Sequence, residues 1–278
     1  MHTTLSAGLA LSIAGSDPSG GAGVQADLKT FTALGVYGAA VITGLTAQNT
    51  HGVRGAWPVE AACLTAQLDA VLDDMRIDAV KVGMLGDAGT ASLVAGRLRR
   101  IEAPVVLDPV MIAKGGHALL EDTALAVLRQ ELLPLSALVT PNLPEAGALL
   151  GRAPPRTREE MEQAARDLVR LGPAAVLVKG GHLGGAGAGG SPDLLLAGGR
   201  MTWLDGPRVD TRNTHGTGCT LSSAIAAGLA RGTAMDSAVR TAKAFVTDAL
   251  RRADLLEVGG GIGPLNHLPR VPWSPDGD

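Results

Sequence analysis

Short, predominantly apolar runs recur along this chain, and longer helix-like segments separate them. Six runs have this character, at residues 9–14, 39–45, 78–84, 104–110, 137–141 and 174–180. Each run is continuous and does not alternate between apolar and polar residues, which is typical of parallel strands covered on both faces. The alternation of strands and helices predicts a doubly wound α/β fold, with a mostly parallel sheet between helices.

Helical patterns occupy several of the intervals between the runs. Helices are predicted to begin near Gly23 and to lie at 59–74, 121–133, 157–171, about 218–231 and about 235–252. After residue 180 the pattern changes, because a glycine-rich stretch precedes two short apolar runs at 193–199 and 200–206. These two runs predict a hairpin at an antiparallel edge of the sheet.

The length of 278 residues fits one α/β domain or two smaller ones. The sequence contains no linker, internal repeat or domain boundary, so we expect a single domain over 1–278 with an irregular tail from about 255. Aromatic residues make up only 2% of the chain, and the core must therefore consist mainly of Ala, Val, Leu and Ile.

Charge and cysteine content exclude several classes of partner. The formal net charge of −3 gives no basic footprint for nucleic acid and no polybasic membrane signal. Two cysteines, Cys63 and Cys219, cannot form a disulfide framework, which favours a reducing cytoplasm. The N-terminal apolar run lacks a positively charged flank and leads into a glycine-rich loop, so it indicates a first strand and not a signal peptide. No run has the 18 or more apolar residues of a membrane span.

A glycine-rich loop follows the first predicted strand and raises three interpretations. Gly21, Gly23 and Ala26 match the dinucleotide pattern G-x-G-x-x-A, but the loop is too long and the second strand lacks the acid that would bind a ribose. The loop could instead let the backbone approach a small ligand, with Asp27 facing it. It could also be a tight turn that leaves Asp27 on a solvated helix face.

Polar residues follow the predicted strands at the edge of the sheet where ligands bind in such folds. They are Gln48, Met84, Asp108, Asn142, Glu145 and Lys179. Each alone could be a cap or turn residue, but together they supply two acids, amide groups and a lysine, which suit Mg²⁺ and a polyphosphate. The sequence contains neither a P-loop nor the H-x-x-x-H or C-x-x-C spacing of a metal site.

The segment RNTHGTGCTLSSA, residues 212–224, predicts an anion site at the start of a helix. We expect the helix to begin near Gly218, so that the amides of about residues 216–219 lack intrahelical partners and can bind an anion. Gly216 and Gly218 would let a phosphate approach closely. Cys219, in the first turn, is predicted to have a lowered thiol pKa, or else to be a small residue tolerated at a tight helix start.

Seven blocks of the sequence, in order, resemble the motifs of the hydroxymethylpyrimidine/phosphomethylpyrimidine kinases of thiamine biosynthesis. The resemblance spans about residues 8–252. The blocks are AGSDPSGGAGVQADLKTF, GLTAQNT, VKVGML, LDPVMIAKGG, TPNLPEA, VLVKGGH and DTRNTHGTGCTLSSA. GTGC alone is similar only to the wider ribokinase-like superfamily.

The resemblance implies a three-layer α/β/α ribokinase-like fold, with ATP and Mg²⁺ as cofactors. It also implies two successive phosphorylations of one pyrimidine and a homodimer. Four residues would lie near the pyrimidine, namely Gly15, Asp27, Gln48 and Met84. Four would bind the nucleotide and its metal, namely Asp108, Asn142, Glu145 and Lys179. Of these, Asp108 and Glu145 would bind Mg²⁺. The anion hole would consist of Gly216, Thr217 and Gly218, with Cys219 where sugar and pyridoxal kinases have an aspartate base. The resemblance also implies a loop over ATP at 184–192, where this sequence departs from the family pattern in its glycine content.

Three other functions compete with this interpretation. Pyridoxal or pyridoxine kinase activity is the nearest, because pyridoxine also carries a hydroxymethyl group on a flat heteroaromatic ring. A non-catalytic pyrimidine sensor would not need the intact set of Asp108, Glu145, Lys179 and Cys219. A dinucleotide-dependent oxidoreductase depends only on the weak glycine pattern.

Overall fold

The computed structural model describes residues 8–112, 119–181, 183 and 190–268. Its strands are β1 (Leu9–Ser16), β2 (Tyr37–Asn49), β3 (Gly52–Pro58), β4 (Ala79–Val82), β5 (Val105–Leu107), β6 (Leu138–Val139), β7 (Ala175–Lys179), β8 (Asp193–Ala197) and β9 (Arg200–Leu204). Its α-helices are α1 (Gly23–Ala33), α2 (Ala61–Leu72), α3 (Ala88–Leu98), α4 (Asp122–Val127), α5 (Leu143–Leu150), α6 (Arg158–Val169), α7 (Thr217–Ala230) and α8 (Met235–Arg251).

All nine strands form one sheet in the order β3-β2-β1-β4-β5-β6-β7-β8-β9. The strands from β2 to β7 in this order pair in parallel, whereas β3, β8 and β9 pair antiparallel to their neighbours. Each of the six apolar runs overlaps one of the parallel strands, and the hairpin predicted after residue 192 is β8 and β9. The predicted mostly parallel sheet with an antiparallel edge is therefore confirmed.

Helices cover both faces of the sheet and create two separate cores. On one face, Leu11 and Val80 of the sheet pack with Leu64 of α2, Val94 of α3 and Leu168 of α6. On the other face, residues of alternate sheet positions pack with helices α1, α7 and α8, through Phe31, Ile225 and Val246 among others. This arrangement confirms the three-layer α/β/α architecture. In the described part of the chain, no helix combines the length and apolar character of a membrane span.

Some elements differ from the sequence prediction. The antiparallel strand β3 was not predicted, because its short sequence contains Gly, Arg and Pro and most of its residues are exposed. The short helix α5 was missed as well. The helix predicted at 121–133 is an α-helix only to Val127 and continues as a π-helical turn over Leu128–Leu132.

Two predicted irregular segments have different outcomes. Residues 184–189 of the loop expected to cover ATP lie outside the described residues. In the tail, residues 256–268 form neither a helix nor a strand. Two backbone contacts nevertheless hold them against the rest of the protein. Pro264 forms a β-bridge with His215, and the amide of Ile262 donates to the carbonyl of Thr50.

Candidate active site

The carboxyl ends of the parallel strands bring the predicted polar residues to one edge of the sheet. Gly15 lies near the end of β1 and Gln48 near the end of β2, while Met84 follows β4 and Asp108 follows β5. The amide of Asp108 donates to the carbonyl of Val82, so the sheet pairing itself fixes where β5 ends. Sequence order and strand direction therefore assemble the site.

Lys179 joins the two acidic residues of this edge. Its Nζ lies 2.9 Å from Asp108 Oδ1 and 3.9 Å from Glu145 Oε2. Burial by itself would lower the pKa of Lys179, but the two carboxylates raise it above its usual value. The lysine is therefore a fixed cation at physiological pH. A Cβ added to Gly218 would lie 3.4 Å from both Asp108 Oδ2 and Lys179 Nζ, which places the start of α7 directly against this cluster.

Asn142 and Glu145 form a capping box at the start of α5. The Asn142 side chain accepts from the Glu145 amide at 2.8 Å, and Glu145 Oε2 accepts from the Asn142 amide at 2.8 Å. Both residues thus have the capping role that their spacing allows. Burial raises the pKa of Glu145 to about 7, although the charge of Lys179 opposes this effect. A carboxyl group with a pKa near neutrality can release its proton when a cation binds.

The donor set fits a magnesium ion that arrives with a nucleotide better than a resident ion. Among the residues that the structure describes, no group of three or more His, Cys, Asp or Glu side chains could hold a metal. Asp108 and Glu145 supply two carboxylates, and Mg²⁺ commonly binds through one or two carboxylates plus substrate phosphates and water. Asp108 and Glu145 are therefore the residues that would hold it.

The loop before α7 has the geometry of an anion hole. Gly216 is the N-cap of α7 with φ of 82°, and no side chain caps the helix. A Cβ on Gly216 would lie 1.8 Å from the carbonyl oxygen of Gly21, so only glycine fits there. The first intrahelical bond runs from the Thr220 amide to the Gly216 carbonyl. The amides of Gly218 and Cys219 come before this first bond in the chain. They therefore have no acceptor within the helix and lie at the positive end of its dipole.

Cys219 lies in the first turn of α7 and is partly exposed. The predicted lowering of its pKa is wrong for the ligand-free protein. Burial among protein groups raises the thiol pKa to about 11, and the charge of Lys81 and the amide of Gly23 only partly oppose this effect. The thiol is therefore neutral at pH 7, because desolvation of the thiolate outweighs the helix terminus.

Gly15, Gly44 and Met84 form an apolar floor beside the anion hole. A Cβ on Gly15 would lie 2.5 Å from Met84 Cε, and one on Gly44 would lie 3.2 Å from the same atom. Thr43 Oγ1 donates to the Met84 carbonyl at 2.6 Å and holds this segment in place. Gly15 and Gly44 are buried and Met84 is partly exposed, so Met84 is the member of this floor that a flat ring could contact.

Gln48 lies beside His215, a residue that was not predicted from the sequence. The His215 Nε2 atom lies 3.3 Å from Gln48 Nε2 and 2.7 Å from Asp17 Oδ2. Burial would raise the pKa of Asp17, but hydrogen bonds from His215 and Ser19 lower it below its usual value. His215 thereby links the loop after β1, the end of β2 and the anion-hole loop. Its place directly before the G-T-G motif was the signal available in the sequence.

Asp27 does not face the site as predicted. Its side chain has no exposed area, and both carboxylate oxygens accept hydrogen bonds from Ser12, Lys81 and Ser223. The helix α1 turns this carboxylate toward the sheet and α7 instead of toward the loop. Asp27 therefore has no atom available to contact a bound ligand in this conformation.

Comparison with known proteins identifies the family of this chain. The family model described as phosphomethylpyrimidine kinase matches residues 17–266. The hydroxymethylpyrimidine/phosphomethylpyrimidine kinase of Rhizobium meliloti is 53% identical over 262 residues, which cover 94% of this chain and 97% of that protein.

The crystal structure of phosphomethylpyrimidine kinase from Clostridium difficile superimposes with a TM-score of 0.77 at 39% identity, covering 87% of this chain and 99% of the other. An ADP complex of Bacillus subtilis pyridoxal kinase gives a TM-score of 0.86 at 36% identity, covering 94% and 98% of the two chains. The chain belongs to the phosphomethylpyrimidine kinase family.

Proposed function

We propose that this protein uses ATP and Mg²⁺ to phosphorylate 4-amino-5-hydroxymethyl-2-methylpyrimidine, first to the monophosphate and then to the diphosphate, in thiamine biosynthesis. The observation that carries the proposal is the convergence of Lys179, Asp108 and the start of α7 beside the floor formed by Gly15 and Met84. A cationic phosphate site thus adjoins a surface for a flat ring. The family membership supports the same reaction.

The acceptor pyrimidine would lie on the floor formed by Gly15, Gly44 and Met84. Gln48 carries one donor and one acceptor group, which match the amine and ring nitrogen of an aminopyrimidine edge. His215 Nε2 lies 3.3 Å from the Gln48 amide nitrogen. These contacts would direct the hydroxymethyl group toward the anion hole.

The donor phosphates would be held at the other end of the site. The bound Mg²⁺ would neutralise phosphate charge when ATP is present. Lys179 and the amides of Gly218 and Cys219 would stabilise the charge on the transferring phosphoryl group, which is the main task of a phosphotransferase. The nucleotide in the related Bacillus subtilis structure supports ATP as the donor. In the first reaction a proton must leave the hydroxymethyl oxygen, and the thiolate of Cys219, the minor form at pH 7, is the candidate to accept it. In the second reaction the acceptor phosphate is already anionic.

Phosphorylation of pyridoxal or pyridoxine is a second candidate activity. It is favoured by the similarity to Bacillus subtilis pyridoxal kinase. The two activities are separated by measuring kcat/KM for hydroxymethylpyrimidine and for pyridoxine under the same conditions. The proposal requires the pyrimidine to be the better substrate, and a preference for pyridoxine would assign the protein to vitamin B6 salvage instead.

Replacing Gln48 by leucine is expected to weaken pyrimidine binding. The loss of two hydrogen bonds to the ring should raise KM by about ten- to a hundredfold, with a smaller change in kcat. Steady-state kinetics with varied pyrimidine and saturating ATP measures this effect. Gln163→Leu is the matched control, because Gln163 is exposed on α6 and, among the described residues, its side chain bonds to Asp167 alone. An unchanged KM in Gln48→Leu would remove this residue from the pyrimidine site.

Replacing Glu145 by glutamine is expected to raise the Mg²⁺ concentration needed for half-maximal activity by about tenfold, because one anionic ligand is lost. With a pKa of about 7, Glu145 is protonated below pH 7 and charged above it. The unmodified protein should therefore need less Mg²⁺ at pH 8 than at pH 6. Titrations with Mg²⁺ at both pH values measure this dependence, which Glu145→Gln should lose. Glu162→Gln, at a partly exposed position on α6 where the carboxylate pairs with Arg166, should keep it.

We also propose that the protein is a cytoplasmic homodimer. Leu45 and Trp57 pair across β2 and β3 at the edge of the sheet and are 50% and 58% exposed. A second copy of the chain would cover this apolar pair. The free thiols of Cys63 and Cys219 and the need for ATP fit the cytoplasm. Light scattering on the eluted protein should give twice the chain mass, and a monomer mass at micromolar concentration would contradict the dimer.

A further inference from the structure

A complete ion pair lies inside the protein, between α1 and the sheet. Lys81 of β4 places Nζ 2.9 Å from Asp27 Oδ1 and 2.7 Å from Asp27 Oδ2. Both side chains have no exposed area. Removing two charges from water is costly, and neither residue contacts the acceptor or phosphate groups proposed above. The burial of this ion pair at this position therefore needs a structural explanation.

Two buried serines complete the hydrogen bonds of the Asp27 carboxylate. Ser12 of β1 donates to Oδ2 and Ser223 of α7 donates to Oδ1, each at 2.6 Å. With the two contacts from Lys81, each oxygen accepts two hydrogen bonds, so the carboxylate is fully satisfied. A satisfied buried network is rigid and specifies one arrangement of the elements that it joins. Here it joins β1, β4, α1 and α7.

The network lies one helical turn behind the anion hole on both helices. Asp27 is four residues after Gly23, which begins α1, and Ser223 is four residues after Cys219. Residues four apart lie on the same face of a helix. One turn earlier, the Gly23 amide lies close enough to the Cys219 sulfur to lower the pKa of the thiol. The two helices therefore approach each other at matched positions. The contact between Ser223 and Asp27 is buried, and the contact between Cys219 and Gly23 lies in the site.

We propose that the pair of Asp27 and Lys81, through Ser223, is a positioning device that holds the first turn of α7 against the start of α1 and so fixes the Cys219 sulfur in the anion hole. None of these three residues contacts a reacting atom. This inference deepens the proposed function and rests on it for its kinetic consequence. Its geometric consequence, the environment of the Cys219 thiol, is independent of the substrate.

The test compares Ser223→Ala with Ser12→Ala. Both changes remove one hydroxyl from the same carboxylate, both serines are fully buried, and both leave the ion pair intact. Only Ser223 belongs to α7. Iodoacetamide labelling at one alkaline pH, followed by peptide mass spectrometry, gives the alkylation rate of Cys219. The exposed Cys63 in the same sample is the internal reference.

In Ser223→Ala the first turn of α7 loosens, and alkylation of Cys219 relative to Cys63 should increase about threefold or more because the thiol becomes more accessible. The kcat of the first phosphorylation should fall about five- to tenfold with little change in the KM for pyrimidine, since a small displacement in the site is enough to cost rate. Ser12→Ala should change each of these quantities less than twofold, while melting temperatures report the stability lost in both variants.

Equal changes in the two variants, or an unchanged Cys219 labelling ratio in Ser223→Ala, would overturn the positioning role. The labelling result stands even if the unmodified protein fails to phosphorylate the pyrimidine. That failure would count against the proposed function alone, so the two claims are tested separately.

Discussion

Lys179→Met is expected to lower kcat/KM by about a thousandfold with both acceptors, the hydroxymethylpyrimidine and its monophosphate. Charge neutralisation on the transferring group is the largest catalytic contribution in phosphoryl transfer, and Lys179 is the cation that touches Asp108 at 2.9 Å and borders Gly218. The change also leaves Asp108 and Glu145 without the charge between them. Coupled measurement of ADP release with each acceptor gives both values.

Lys179→Arg is the matched variant, because it keeps the charge and changes only the shape of the cation. It should retain more activity than Lys179→Met by at least about tenfold, since a displaced charge still attracts phosphate. Circular dichroism and melting temperature must show that both variants are folded. Activity of folded Lys179→Met within tenfold of the unmodified protein would contradict a role for this lysine in neutralising phosphate charge.

Cys219→Ser is expected to slow the two reactions unequally. The first phosphorylation, whose acceptor is an alcohol, should fall by about a hundredfold or more, as expected on loss of a general base. The second should fall by less than about tenfold, because its acceptor phosphate needs no deprotonation. Single-turnover assays with each acceptor separate the steps. Cys63→Ser, at an exposed position on α2, is the control and should leave both rates unchanged. Equal losses in the two reactions would favour a purely structural role for Cys219.

The pH profile of the first phosphorylation gives an independent test of the same residue. With a pKa of about 11, the thiol is neutral at pH 7, and the thiolate fraction grows about tenfold for each pH unit below the pKa. If the thiolate is the base, kcat of the first reaction should increase steeply between pH 7 and pH 9, and that of the second should not. A first reaction that is flat over this range would mean that Cys219 acts as a neutral group in the anion hole.

The sheet and the phosphate side of the site could be predicted because they depend on strand direction. Continuous apolar runs indicate parallel strands, and parallel strands place their carboxyl ends at one edge. This rule alone brings Asp108, Asn142 and Lys179 together from positions far apart in the sequence. The start of α7 could also be predicted to within one residue, because Gly216 and Gly218 allow an uncapped helix terminus.

The partner of Asp27 could not be predicted from its own surroundings. Asp27 lies in the first turns of a helix that follows a ligand-binding loop, and this local context favours exposure. Its burial depends on Lys81, which is 54 residues away in the sequence. A lysine within the apolar run AVKV was the signal that a buried acid must lie opposite.

The ionisation of Cys219 shows the limit of a local electrostatic argument. A helix terminus stabilises a thiolate, and this effect could be predicted from the sequence. Desolvation depends on the groups that surround the thiol, including Asp27 and Asp108, whose charges also raise its pKa. In this protein the tertiary environment has the larger effect on the thiol.

The most direct measurement of the central claim follows the products formed from hydroxymethylpyrimidine, ATP and Mg²⁺ by phosphorus NMR over time. A pyrimidine monophosphate should appear first and then decline as a diphosphate accumulates, with one ADP released for each phosphoryl group. If no phosphorylated pyrimidine forms while the same preparation phosphorylates pyridoxine or another alcohol, the proposed substrate is contradicted.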